Sequence, residues 1–293
     1  MTPEQLATFI AVAEREHLTK GAAAVRLTPS AASAAIRALE AVYNVDLFDR
    51  VGRRIELTRA GRLFLAEARR TLAAVKEAEG LLSELGGLRT GHLDIEASQT
   101  IANYWLPARL LRFTALYPGI SVGFRDGNTA GVVQAVTSGR AELGFIEGSV
   151  DEAALAAHPF RSDELIIVVS SRAPGVGAVT TPERLRELRW IMREPGSGTR
   201  TEFEAALAAI GIDSTTLPVA LILPTNEAVL SAVRGSACAA ALSRLVVSPF
   251  IASGELVGID IALAPRQFTI LRHKERRLSA AALAFERICR EPD

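Results

Sequence analysis

Apolar residues recur at three- and four-residue spacing through the first 85 positions, then gather into short runs separated by amphipathic stretches. Leu6, Phe9, Ile10 and Ala13 stand at i, i+3, i+4 and i+7. That spacing predicts one buried face of a helix that opens at Thr2-Pro3. A second helix is predicted from an N-cap at Thr19 to about Arg26. Leu27-Thr28-Pro29 reads as a turn, with Ser30 as the N-cap candidate of a third helix that buries Ala32, Ile36 and Leu39.

The other face of that third helix carries Ser33, Ala34 and Arg37. Two short helices joined tightly, the second opening on small and polar residues, define a helix-turn-helix. Val51-Gly52-Arg53-Arg54-Ile55-Glu56-Leu57 then reads as a turn and a short strand, a wing. Residues 61–85 carry Leu65, Ala68, Leu72, Val75 and Leu82 in a near-heptad stripe about 37 Å long at ~1.5 Å per residue. So long a stripe favours a coiled-coil dimer over packing on its own chain. Gly86-Gly87 and Gly91 mark a hinge.

From His92 onward the texture changes. Strand patterns at His92–Ala97, Ile120–Arg125, Leu143–Ile146 and Leu165–Val169 alternate with helical patterns, among them Trp105–Tyr117 and Gly131–Ser138. Such alternation predicts an α/β fold with mainly parallel sheets.

Composition narrows the classes. With 49% hydrophobic residues the 293-residue chain has material for a sizeable core and about two domains. Its 33 basic and 33 acidic residues cancel, which excludes a blanket polycation. Charge is nevertheless local. Between 20 and 62, eight basic residues face four acids, leaving about +4, which suits phosphate contacts as well as a solvated face of an ordinary bundle. Two cysteines, Cys238 and Cys289, and four scattered histidines offer no disulfide framework or zinc set. The N-terminus lacks a secretory pattern and no run of about 18 apolar residues occurs, so a cytoplasmic location without membrane contact is expected.

The run from Leu18 to Glu40 (LTKGAAAVRLTPSAASAAIRALE) resembles the winged helix-turn-helix of LysR-type transcriptional regulators. Val45-Asp46-Leu47-Phe48-Asp49-Arg50, Gly52-Arg53-Arg54 and Leu57-Thr58-Arg59-Ala60-Gly61 continue that pattern. Two positions depart from it: Pro29-Ser30 stands where the family often has Gln-Pro, and Ala34 where a larger polar residue is common. Ser30, Ala31, Ser33, Ala34 and Arg37 are assigned to the groove-facing surface, and Arg53 and Arg54 to the wing.

The resemblance implies a winged helix-turn-helix over 1–60, a linker and dimerisation helix over 61–87, and an effector-binding domain over 88–293. It further implies two Rossmann-like subdomains within that domain, 92–161 with 266–293 and 162–265, joined by two crossover strands as in periplasmic binding proteins. Partners expected on this basis are promoter DNA, a small polar or anionic co-inducer, and further copies of the chain, as a dimer through the linker helix and a tetramer. No other cofactor and no metal is expected.

Ligands of open α/β sheets bind beyond the carboxyl ends of strands. Four such places are rich in hydroxyls and amides: Ser98-Gln99-Thr100, Asn128-Thr129, Ser197-Gly198-Thr199 within Arg193–Arg200, and Thr225-Asn226. Free N–H groups there attract anions. The Arg193–Arg200 segment resembles that of a LysR subgroup that includes regulators of sulfur assimilation and carbon fixation. Thr199 and Glu202 also match a capping box, a purely local use of the same residues. Glu147 stands apart, as a receiver of a ligand's cation or hydroxyl group or as the partner of an arginine. The chain has no G-x-S-x-G elbow, P-loop or G-x-G-x-x-G after a strand, and Cys238 sits in a small apolar run, so no enzyme is expected. The competing reading is a stand-alone small-molecule binding protein whose N-terminal helices only mediate oligomerisation.

Overall fold

A computed structural model of the chain describes residues 1–51, 54–85, 90–174 and 181–291. It divides into two compact units, one built from residues 1–87 with 138–140 and the other from 88–137 and 141–293. Arg53 of the wing and the Gly86-Gly87 hinge lie outside the described residues.

The first unit opens with α1 (Pro3–Ala13), where Thr2 accepts from the Gln5 N–H and the Gln5 side chain returns the bond to the Thr2 N–H. In α2 (Leu18–Ala24) the cap is His17, not Thr19: the imidazole accepts the Lys20 N–H. The third helix, α3 (Pro29–Tyr43), is capped by Thr28, which accepts from Ala31, rather than by Ser30. Proline is preset for the first helical position, so the cap falls one residue before it and Ser30 sits within the first turn. As the spacing predicts, α3 buries Ala32, Ile36 and Leu39.

The wing is an antiparallel pair, β1 (Phe48–Val51) and β2 (Arg54–Leu57), with Val51 opposite Arg54. Glu40 of α3 holds it in place by accepting the N–H groups of Leu47 (2.8 Å) and Phe48 (3.3 Å). The long helix α4 (Arg59–Leu85) follows. Its apolar stripe is divided in use. Ala68 is buried with Leu6, Phe9 and Leu39, and Leu65 packs partly on the same cluster, so the first half of the stripe serves its own domain. Leu63 and Leu82 stay exposed.

The second unit contains two lobes with separate cores, the first built on a five-stranded sheet and the second on a three-stranded and a two-stranded sheet. In the first lobe five strands order as β4-β3-β5-β12-β6: β3 (Gly91–Ser98), β4 (Ile120–Gly127), β5 (Leu143–Glu147), β6 (Leu155–Asp163) and β12 (Arg266–His273). Helices α5 (Gln99–Tyr104), α6 (Leu106–Leu116), α7 (Thr129–Ser138) and α11 (Ala280–Arg290) accompany them around Leu93, Phe113, Phe145, Phe268 and Phe285. The second lobe has β7 (Leu165–Ser170) between β10 (Ala240–Ser243) and β11 (Leu256–Gly258). There β8 (Trp190–Arg193) pairs with β9 (Val219–Leu223), and a bridge from Trp190 to Ala239 links β8 to β10. Helices α8 (Gly198–Ala209), α9 (Asn226–Arg234) and α10 (Arg244–Ala252) complete it.

The sheets are mixed rather than mainly parallel. β3 runs parallel to β4 and β5, and β8 to β9, but β12 is antiparallel to β5 and β6, and β7 to β10 and β11. The crossing segments are the reason. β6 leaves the first sheet straight into β7, β12 returns from the second lobe, and neither is preceded by the helix that a parallel crossover needs.

Candidate functional site

In the first unit, α3 presents Ser30, Ala31, Ala34 and Arg37 to solvent with Ser33 half-buried, on the face opposite Ala32, Ile36 and Leu39. That face is flat and small, with Arg37 as its long cation. The backbone places Arg54 at the start of β2.

In the second unit, the carboxyl ends of β4, β3 and β5 lie side by side, because Ser98 is in register with Gly127 and Ala97 with Phe145. The predicted ligand residues follow those ends. Thr100 and Asn128 of the first lobe and Thr199 and Asn226 of the second are drawn into hydrogen-bond networks that join the two lobes, and the Glu147 side chain takes no part in them.

One network can be followed atom by atom. The buried Thr100 hydroxyl accepts from Asn226 Nδ2 at 3.0 Å. Asn226 Oδ1 in turn accepts from Nη1 of Arg193. Arg193, at the end of β8, is buried and grips the neighbouring Glu194 carboxylate twice, from Nε at 2.8 Å and Nη2 at 3.1 Å. Glu194 also accepts from Asn128 Nδ2 at 3.3 Å, and Asn128 Oδ1 accepts the Gly131 N–H. The network thus leaves the first lobe at α5, passes through β8 and α9, and returns at the start of α7. Gln99 adds two bonds across the same gap, to the Asn226 N–H and the Pro224 carbonyl. At its rim Asn103 and Tyr104 donate to Glu227, both at 3.2 Å. Burial, then the Glu227 carboxylate, push the Tyr104 phenol up to about 12.

A second network sits where the chain crosses between lobes. Arg266, at the start of β12, donates from Nε to Asp163 at the end of β6 (2.8 Å), with Nη2 2.7 Å from the same oxygen. Its Nη1 donates to the Thr199 hydroxyl at 3.1 Å, and Ser243 completes Asp163. The pair is buried and multiply hydrogen-bonded, which a buried ion pair requires.

The local reading of Thr199 and Glu202 fails. The N-cap of α8 is Ser197 and makes no side-chain cap bond. Thr199 accepts from Arg266, and Glu202 lies over Gly148, whose φ of +83° a glycine tolerates; a Cβ there would fall 2.0 Å from Glu202 Oε1. Burial raises the Glu202 carboxyl above its usual range, Arg266 partly counters this, and Glu147 adds to it. Thr225 is an ordinary cap: its hydroxyl accepts the Ala228 N–H. Sequence reasoning missed Arg193 as a hub, and Glu194, Asp163 and Arg266 altogether. An arginine closing the apolar strand Trp190-Ile191-Met192 was the one available signal. No group of three or more potential metal ligands occurs among the described residues.

A helix-turn-helix with a wing, a long helix and a two-lobed α/β unit with a polar cleft define a one-chain transcription regulator of the ligand-responsive kind. Residues 3–62 match the family described as bacterial regulatory helix-turn-helix protein, lysR family, and residues 86–292 match the LysR substrate binding domain. The chain belongs to the LysR family of transcription regulators.

Among curated relatives, the HTH-type transcriptional regulator YeiE of Escherichia coli (strain K12) is 33% identical over 291 residues, 99% of this chain and 97% of that protein. The RuBisCO operon transcriptional regulator of Allochromatium vinosum is 30% identical over 284 residues, covering 96% and 93%. Among solved structures, full-length CbnR complexed with its target DNA shares the fold at a TM-score of 0.68 and 20% identity, covering 99% of this chain and 98% of that one. The regulatory domain of CcmR from Synechocystis PCC6803, in complex with 2-PG, aligns at a TM-score of 0.61 and 25% identity, covering 69% and 96%. The carbon-fixation relatives agree with the subgroup that the Arg193–Arg200 segment resembles. The match over 3–62 sets aside a stand-alone binding protein whose N-terminal helices only oligomerise.

Proposed function

We propose that this chain regulates transcription by seating a small anionic effector between its two α/β lobes and so altering how its paired winged helices hold promoter DNA. The observation that carries this reading is the hydrogen-bond path from Thr100 through Asn226, Arg193 and Glu194 to Asn128. An effector anion beside Arg193 would compete with Glu194 for the guanidinium and thereby loosen the Asn128 bridge. A ligand shifts such an equilibrium only through unequal affinity for the two arrangements, and this competition supplies the inequality. The ligand held by the related CcmR regulatory domain, 2-PG, supports a small anion as the class of effector.

On the DNA side, Ser30, Ala31, Ser33, Ala34 and Arg37 face the major groove, and Arg53 and Arg54 contact the backbone or minor groove from the wing. Short side chains on α3 favour docking through phosphates and DNA shape over bidentate base readout. The effector-binding set is Ser98, Gln99, Thr100, Asn128, Thr129, Glu147, Ser197, Gly198, Thr199, Thr225 and Asn226, to which Arg193 is added. The chain acts by binding, not catalysis, with no cofactor beyond the co-inducer. It works in the cytoplasm, and no described helix is long and apolar enough to cross a membrane. Copies associate through the second half of α4 and through the apolar edge strand β9, where Leu221 and Ile222 are 54% and 51% exposed.

The test is a titration of the full chain with 2-phosphoglycolate and other small dianions, followed by melting temperature and by gel shift on bound promoter DNA. Thr100→Val and Arg193→Lys should both weaken the ligand response while DNA binding survives. Unaltered ligand affinity in both variants would place the effector elsewhere.

A further inference from the structure

Three buried polar oxygens at the cleft floor have no hydrogen-bond partner among the described residues: Ser98 Oγ, Thr129 Oγ1 and Glu147 Oε1. They follow the carboxyl ends of the adjacent parallel strands β3, β4 and β5. Ser98 and Glu147 are only 2% and 3% exposed. Buried polar groups without partners are rare, and a carboxylate so placed is the costliest kind.

The second lobe closes over this floor. A Cβ on Gly198 would lie 2.5 Å from Thr129 Oγ1 and 3.2 Å from Glu147 Oε2, so only glycine lets the start of α8 approach so near. Glu202 of the same helix rests on Gly148, the residue after Glu147, and the two carboxylates repel each other. The arginine of this cluster is already engaged, since Arg266 is held by Asp163 and Thr199. Two carboxylates therefore meet in the cleft with neither bonded to an arginine among the described residues. The expectation that Glu147 is the partner of an arginine is not met.

We propose that Glu147, with Glu202 and the Thr129 hydroxyl close by, forms a subsite for the ammonium group of a zwitterionic effector whose anionic end faces Arg193. This rests on the effector reading above and specifies its ligand. A hydroxyl on the ligand would bring one donor and no charge. An ammonium brings three donors and a positive charge, where the nearby Arg266 is already committed to Asp163. The buried Glu147 oxygen is then satisfied only in the liganded state, and the link from Glu147 of the first lobe to Glu202 of the second ties the lobes together through the ligand.

The experiment uses the full chain and two matched probe sets that differ in one group: L-alanine, L-lactate and propionate, and phosphoethanolamine against ethyl phosphate. The ammonium-bearing member of each set should raise the melting temperature most, by about 5 °C or more once it is about a hundredfold above its Kd. Glu147→Gln should cut the affinity for that member by about tenfold to a hundredfold. Without ligand the same variant should melt no lower than the wild type, because Glu147 Oε1 has no hydrogen bond among the described residues to lose. Equal shifts within each set, a preference for ammonium that survives Glu147→Gln, or no shift from any ammonium-bearing probe at about 10 mM would each overturn the subsite. So would a ligand-free Glu147→Gln protein that melts below the wild type. If 2-phosphoglycolate or propionate still binds in a manner that Thr100→Val abolishes, the effector cleft stands and only the ammonium subsite falls.

Discussion

Replacing Thr100 by valine tests the bridge between the lobes with little change of shape. The side chain is 1% exposed and valine nearly matches its volume, so no cavity opens. What is lost is the acceptor of the 3.0 Å bond from Asn226 Nδ2. Asn226 is itself fully buried, so its amide donor is stranded, which costs about 1–3 kcal/mol. For a domain of this size each kcal/mol lowers the melting temperature by about 2–4 °C. Thr100→Val should therefore melt about 2–12 °C lower in calorimetry of the full chain. Asn226→Ala should cost more, because it also removes the acceptor of the Arg193 Nη1 bond. In the double mutant the two losses should fall short of additive by about 0.5 kcal/mol or more, since both act on one network. Strict additivity, or a Thr100→Val protein that melts with the wild type, would refute the bridge.

Arg266→Leu strands Asp163 in the interior and should cost about 3–5 kcal/mol, read as a large fall in the urea midpoint. Glu202→Gln should behave oppositely at neutral pH. Its carboxyl is raised in the folded chain, so the stability tied to its protonated form is present below about pH 4.5 and is lost as pH rises through the folded value. The glutamine variant should then melt above the wild type at pH 7 and alike near pH 4, and a deficit at pH 7 would contradict the origin given for the shift. Leu221→Arg on β9 should lower the oligomer mass in light scattering without unfolding the protein, whereas an unchanged mass would remove β9 from the assembly interface.

What could be read from the sequence was what depends on near neighbours. The i, i+3, i+4 spacing located α1 and α3, and Thr2-Pro3 located the start of the first. Strand–helix alternation found β3, β4, β5 and β7 within a few residues. Caps were less legible because several residues compete for them: Pro29 moved the α3 cap to Thr28, and His17 displaced Thr19. The antiparallel returns of β6 and β12 leave no local trace, since pairing over about a hundred residues is decided by the whole sheet. The same distance hid Asp163 and Arg266, which are 103 positions apart. Thr199 and Glu202 misled for the converse reason. Their spacing satisfies a local motif, yet stronger partners from the other lobe claim the threonine.

If α3 and the wing hold DNA while the cleft holds the ligand, the salt dependence of promoter binding must differ between the wild type and Arg37→Ala in a gel-shift titration across a range of ionic strength. A phosphate contact from Arg37 predicts weaker binding by the variant and a log–log salt slope smaller in magnitude by about 1. Identical affinity and slope for the two proteins would contradict the placement of DNA on this face.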